Sequence, residues 1–196
     1  SGVAVTGSHN PPEYNGLKMM MAKDTLYGEG IQALRTRIEK GNETAQHKGQ
    51  IEEIDVLTPY LSKVLGDVKL ERTMKVAIDC GNGVTGPLEL FKRLGCEVTP
   101  LYTEIDGHFP HHHPDPSKPA NLADLIETVK NSDVELGLAF DGDGDRLGVV
   151  TKSGQIIYPD RQIMLFAADI LKHNPGAPII YDVKCTRRLV PWIKEH

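Results

Sequence analysis

The sequence predicts an α/β protein in three layers, with mixed, largely parallel sheets and helices on both faces. Three observations carry this. From Asp55 onward, strand-like runs alternate with stretches whose apolar residues follow a helical period, an alternation that builds a parallel sheet covered by helices. Residues 74–80 and 135–140 read as buried strands, as expected of a sheet packed on both faces. Glycine-rich turns stand between strand and helix, where the backbone must reverse tightly.

Taken in order, residues 2–6 read as a strand that ends in the polar turn Gly7-Ser8-His9-Asn10-Pro11-Pro12. A chain seldom starts inside a sheet, so the beginning of this domain is expected upstream. Residues 17–21 form a second strand, and 29–40 a helix with Ile31, Leu34 and Ile38 as a core stripe and Gly41 as its stop. Residues 42–50 are polar and aperiodic, a linker or exposed loop. Asp55 can cap a helix carrying Val56, Leu57, Tyr60, Leu61, Val64 and Leu65.

The strand at 74–80 is followed by a Gly-rich turn, a helix through Leu94 closed by Gly95, and a strand at 97–102. Residues 106–119 make a Pro/His-rich loop. Asn121 is placed to cap a helix reaching about residue 131. The strand at 135–140 runs into Asp141-Gly142-Asp143-Gly144-Asp145-Arg146, and a hairpin follows at 147–151 and 155–158. A helix at 160–172, a strand at 178–183 and a helix from Thr186 complete the chain. The expected division is 1–54, the end of one domain; 55–158, a complete domain; and 159–196, the opening of a third.

Composition narrows the function classes. The 196 residues are 39% hydrophobic and 25% charged, with a net charge of -5. No basic stripe marks a nucleic-acid footprint. No apolar run reaches the roughly 20 residues a membrane helix needs, and the first residues lack a signal-peptide layout. Three scattered cysteines, Cys80, Cys96 and Cys185, make a disulfide framework a poor fit. The expectation is a cytoplasmic protein with neither nucleic-acid nor membrane partners.

The acidic loop carries the clearest chemistry. Asp141, Asp143 and Asp145 alternate with glycine directly after a buried strand, so the tight backbone can bring three carboxylates to one point. A hard divalent cation is the usual way to offset their repulsion, and oxygen ligands suit Mg²⁺. A calcium-binding EF-hand loop does not fit, because its sixth position would be Arg146 and its twelfth Lys152. The turn Thr6-Gly7-Ser8-His9-Asn10-Pro11 places a hydroxyl at a strand end, where open α/β sheets bind ligands. By itself that is an ordinary Asn-Pro turn.

The two motifs in this order resemble the α-D-phosphohexomutase superfamily, and within it the bacterial phosphomannomutase/phosphoglucomutase group. Residues 8–18, 106–116, 140–146 and 182–188 carry the likeness. The resemblance implies intramolecular phosphoryl transfer on mannose or glucose phosphates through a phosphoserine and a bisphosphorylated sugar. It implies that Ser8 is the phosphorylated serine and that its phosphoryl oxygen joins Asp141, Asp143 and Asp145 around one Mg²⁺. Arg146 then closes the metal loop, Lys18 assists proton transfer, and His9 and Asn10 shape the serine loop. Arg187 and Arg188 are candidates for a substrate phosphate. Glucose 1,6-bisphosphate or mannose 1,6-bisphosphate is the implied activator.

The superfamily has four domains, and its sugar-reading Gly-Glu-x-Ser-Gly-His loop and its last phosphate-binding loop have no counterpart in this sequence. The resemblance therefore implies a piece that is inactive alone and whose partners are the missing segments or a second copy.

Two rivals stand beside this reading. Gly81-Asn82-Gly83-Val84-Thr85-Gly86, with Glu104 after the next strand, has the spacing of a dinucleotide-binding turn and would fit an NAD-dependent oxidoreductase. Packing of the helix close to the sheet explains the same glycines. A non-catalytic sugar-phosphate-binding relative is the other, against which the intact Ser8 and acidic triad argue. His111-His112-His113 is a poor zinc site, since consecutive side chains diverge.

Overall fold

The computed structural model describes residues 1–41, 47 and 49–196, and the chain divides into two compact units, Ser1–Lys69 and Leu70–His196. Most of the stretch read as a linker at 42–50 lies outside the described residues.

The first unit is built on an antiparallel sheet of β1 (Gly2–Val5), β2 (Leu17–Met21) and β3 (Asp24–Thr25), in that order. Ala22 and Lys23 turn β2 into β3 with φ of 50° and 77°, the left-handed pair that a two-residue hairpin requires. Helix α1 (Glu29–Lys40) follows. Its apolar stripe is not core as the periodicity suggested. Ile31 and Ile38 are 42% and 69% exposed, and only Leu34 is half-buried. A 3.6-residue period identifies the apolar face of a helix, not what covers it. Helix α2 (Leu57–Asp67) starts as expected: Asp55 Oδ1 accepts from the amides of Leu57 and Thr58 at 3.0 and 3.1 Å.

The second unit opens with β4 (Lys75–Asp79), α3 (Gly86–Arg93) and β5 (Glu97–Leu101). A short 3₁₀ turn (Pro119–Leu122), α4 (Ala123–Asn131) and β6 (Leu136–Phe140) come next. Then follow β7 (Leu147–Thr151), β8 (Ile156–Ile157), α5 (Pro159–His173) and α6 (Leu189–Glu195). The sheet order is β5-β4-β6-β7-β8, with β4 parallel to β5 and β6 and the remaining pairs antiparallel. Three strands thus end at one edge, at Asp79, Leu101 and Phe140.

Both faces are covered, which is why the centre of β4, Val76-Ala77-Ile78, is apolar without alternation. Ala77, Ala139 and Val150 pack with Leu125 and Val129 of α4 on one side. Val76, Ile78 and Cys80 meet Leu88 and Phe91 of α3 on the other. Ile78, Leu125, Val129 and Val150 are fully buried, each contributing about 1.5–3 kcal/mol. Along α5, Ala167 and Leu171 are buried, and Trp192 of α6 donates its indole N–H to the Met164 carbonyl at 2.9 Å.

Three local expectations change. Residues 178–183 form no strand; Ile180 and Val183 are 92% and 96% exposed, and β propensity without a pairing neighbour does not make a ladder. The helix expected from Thr186 begins at Leu189. Asn121 does not cap α4 but lies within the 3₁₀ turn, its side-chain amide donating to the Asp115 carbonyl at 3.0 Å.

Candidate active site

Ser8 stands just past the end of β1 with φ at 53°, a left-handed conformation costing a non-glycine residue roughly 1–3 kcal/mol. Local hydrogen bonds hold it there. The Ser8 amide donates to Thr6 Oγ1 at 2.9 Å, and the Asn10 amide to the Gly7 carbonyl at 2.9 Å. The base of the loop is closed by the Thr6 amide on the Gly16 carbonyl at 2.9 Å. A Cβ on Gly16 would fall 2.1 Å from the Thr6 carbonyl oxygen, so this closure requires glycine. The Ser8 hydroxyl and His9 Nδ1 share a hydrogen bond of 3.1 Å, so those two expected residues do meet. Lys18 is exposed on β2, directly across from Ala4, and Asn10 is exposed on the loop.

The acidic loop leaves β6 at the edge where the parallel strands end. Ligand oxygens of Asp141, Asp143 and Asp145 all lie within 4.8 Å of one another. Two unit charges 4.8 Å apart repel by roughly 3–4 kcal/mol at an effective dielectric of about 20. The donor set, three carboxylates converging, fits a hard cation such as Mg²⁺. Asp141 is completely buried. Its Oδ1 accepts from the Arg146 amide and its Oδ2 from Arg146 Nε, both at 3.0 Å. Arg146 also reaches Asp145 at 3.8 Å and Asp115 at 3.2 Å. Among the described residues this is the one cluster of three potential metal-ligating side chains.

The histidines do other work. His112 Nε2 bonds the buried Asp79 carboxylate at 2.9 Å, and His111 Nδ1 bonds Asn82 Oδ1 at 2.8 Å while stacking on Tyr102 at 4.0 Å. The Asp79 hydrogen bond holds the His112 imidazole above its ordinary pKa, against the effect of burial. Asp124 accepts from the Tyr102 hydroxyl at 2.5 Å and pushes that phenol up to about 12. These partnerships escape sequence reading, although the histidines and Asp115 lie in the loop singled out for its composition.

The glycines of the 81–86 turn also have occupants. A Cβ on Gly81 would meet Pro114 at 3.0 Å and His112 at 3.3 Å, and one on Gly83 would meet Gly142. At these two positions the clearance is used by the chain's own loops rather than by a helix packing on the sheet. Arg187 and Arg188 are exposed, just ahead of α6.

Fold and site define a class first: an α/β/α unit with a carboxylate cluster at the carboxyl ends of its parallel strands. Two models of one family match the chain. That described as phosphoglucomutase/phosphomannomutase, alpha/beta/alpha domain II, covers residues 58–154, and its domain I counterpart covers 1–45. The chain belongs to the phosphoglucomutase/phosphomannomutase family.

It is 61% identical over its whole length to a phosphoglucomutase of Neisseria meningitidis serogroup A, and 58% identical over 98% of it to a phosphomannomutase/phosphoglucomutase of Pseudomonas aeruginosa. It spans 43% and 42% of those proteins. A crystal structure of a phosphoglucomutase/phosphomannomutase family protein from Burkholderia thailandensis matches 98% of the chain at 57% identity and a TM-score of 0.91, over 42% of that protein. Among the described residues no helix is long and apolar enough to cross a membrane.

Proposed function

We propose that this chain supplies two loops of a mutase that interconverts mannose or glucose 1-phosphate and the 6-phosphate. The observation that carries the reading is the three-carboxylate cluster, standing in a chain of this family. In the proposed reaction a sugar oxygen attacks the phosphorus held by Ser8. The serine P–O bond breaks, a sugar bisphosphate forms, and after reorientation Ser8 Oγ takes back the other phosphoryl group. Such transfer passes through a loose transition state, so alignment and charge neutralisation dominate.

Asp141, Asp143 and Asp145 would hold one Mg²⁺, with a phosphoserine oxygen as a further ligand; when bound, the cation draws charge from the transferring group. Arg146 orders the loop, Lys18 carries the proton of the attacking oxygen, and His9 and Asn10 shape the approach to Ser8. Arg187 and Arg188 are assigned to a substrate phosphate. Glucose 1,6-bisphosphate or mannose 1,6-bisphosphate serves as activator, and the setting is cytoplasmic. The proposed division is 1–54, 55–158 and 159–196, the chain being completed by further segments or a second copy.

Ser8→Ala in a full-length parent should abolish turnover of sugar 1-phosphate, and mass spectrometry should map a phosphoserine to Ser8 in the unmutated protein. Near-normal activity of that variant would exclude the reading. The 196-residue chain alone should not convert glucose 1-phosphate even with added glucose 1,6-bisphosphate, because the positioning it lacks is worth roughly 7–11 kcal/mol of the barrier.

A further inference from the structure

We propose that Asp115 is a positioning residue that sets the orientation of Arg146, and through it the charge that Asp141 can offer a cation. This rests on the reading of the acidic loop as a cation site.

Asp115 lies in the Pro/His-rich loop, distant in sequence from the acidic loop, yet it is only 8% exposed. A carboxylate so placed needs partners. Its Oδ1 accepts from the Ser117 amide at 3.1 Å, the Ser117 hydroxyl at 2.7 Å and Arg146 Nη1 at 3.2 Å. The guanidinium of Arg146 thus hydrogen-bonds carboxylates from two different loops through different donors, Asp115 at Nη1 and Asp141 Oδ2 at Nε, with Asp145 a longer ion pair at 3.8 Å. Because that group is planar and rigid, fixing Nη1 also fixes the direction of Nε–H.

The loop is suited to this because it is pinned on both sides of Asp115. His112 bonds Asp79, His111 bonds Asn82, and Asn121 donates to the Asp115 carbonyl itself. Removing the Asp115 side-chain charge leaves these ties intact. A role confined to holding the loop would therefore change little at Arg146. A positioning role has a specific consequence: without Asp115, the positive charge of Arg146 falls more fully on Asp141 and Asp145 and competes with a cation for them.

The test uses the 196-residue chain labelled with ¹⁵N. In the unmutated protein the Arg146 Nε–H resonance should be sharp and slow to exchange with solvent. Asp115→Asn should broaden it and speed its exchange, and should weaken Mn²⁺ binding, measured by paramagnetic relaxation, about tenfold. In an Arg146→Ala background, Asp115→Asn should change Mn²⁺ affinity by less than about twofold, because the path through Arg146 is gone.

An unmoved Arg146 resonance in a folded Asp115→Asn protein overturns the proposal, as does an equal loss of Mn²⁺ affinity with and without Arg146. If Asp115→Asn does not fold, Asp115→Glu keeps the charge and shifts the carboxylate by one methylene. It must displace the Arg146 resonance, and failure to do so is equally fatal. Should the unmutated chain bind no Mn²⁺, the cation-site reading falls with the second half of the proposal, and the resonance alone decides the first.

Discussion

The backbones of Gly83 and Gly142 approach so closely that a Cβ built on Gly83 would stand 2.6 Å from the Gly142 carbonyl oxygen and 2.8 Å from its Cα. The same carbonyl accepts the Val84 amide at 3.2 Å. Two loops leaving neighbouring parallel strands, β4 and β6, are thereby joined at the point where the carboxylates converge. The acidic loop takes its position partly from the turn after β4.

Gly83→Ala should therefore destabilise the chain by about 1–3 kcal/mol, because the obstructing atoms are backbone and cannot swing aside. Mn²⁺ binding should weaken with it, since Gly142 must move. Gly107→Ala is the control: nothing lies within 4 Å of a Cβ there, so its thermal midpoint should match the unmutated protein. Equal midpoints for the two variants would show that the contact is relaxed in solution.

The carboxylate cluster makes a prediction in which the order of stabilities reverses. The Asp145 side chain is 56% exposed and its ion pair with Arg146 is long at 3.8 Å, so that ion pair contributes little when metal is absent. Asp145→Asn without metal should unfold at or above the temperature of the unmutated chain, because repulsion within the cluster falls. In excess Mg²⁺ the order should invert, since a ligand at about 100 times its Kd stabilises by about 2.7 kcal/mol and the variant binds it poorly. Thermal unfolding with and without Mg²⁺ checks both halves.

Much of this arrangement is legible in residue order, and the exceptions share a cause. The strands at β4 and β6 and the helices α3, α4 and α5 are encoded by local periodicity, and all five stand close to their expected positions. The acidic loop is legible because three carboxylates occur in one short segment. The pairs Asp79–His112 and Asp115–Arg146 are 33 and 31 residues apart. No local pattern announces them; they follow from the sheet order that brings the ends of β4 and β6 together. Residues 178–183 and the stripe on α1 fail in a related way. Local propensity is correct about the type of residue, while pairing and burial depend on what lies opposite.

The serine loop offers a comparable test in the first unit. Gly16→Ala places a methyl group against the Thr6 carbonyl oxygen and must break the closure made by the Thr6 amide on Gly16. The left-handed Ser8 then loses the turn that supports it. In a full-length parent this variant should retain less than about a tenth of the activity while remaining folded by circular dichroism, since Ser8 is proposed as the reacting group and small misplacements of such a group carry large rate penalties. Full activity would show that the turn tolerates opening.

The pair His112 and Asp79 predicts a pH dependence with a definite sign. The imidazole is held above 6.5 first by its hydrogen bond to Asp79, with weaker support from the His113 carbonyl and the charges of Asp79 and Asp124, while burial acts the other way. The Tyr102 ring lies edge-to-face with the imidazole, its centroid 5.3 Å from that of His112, and carries no charge at neutral pH. A group that binds its proton more tightly in the folded protein contributes stability that is complete below its unfolded value. That contribution is lost as pH rises through the folded value. The share due to His112 should thus be full below about 6.5 and should decline as pH rises above it. Denaturant unfolding across pH 5.5 to 8.5 should show this decline, and His112→Gln, which can still donate to Asp79 but does not titrate, should remove that component of the slope. An NMR titration of the His112 ring proton gives the direct measure, and a midpoint at or below 6.5 in the folded chain would show that Asp79 does not hold the imidazolium.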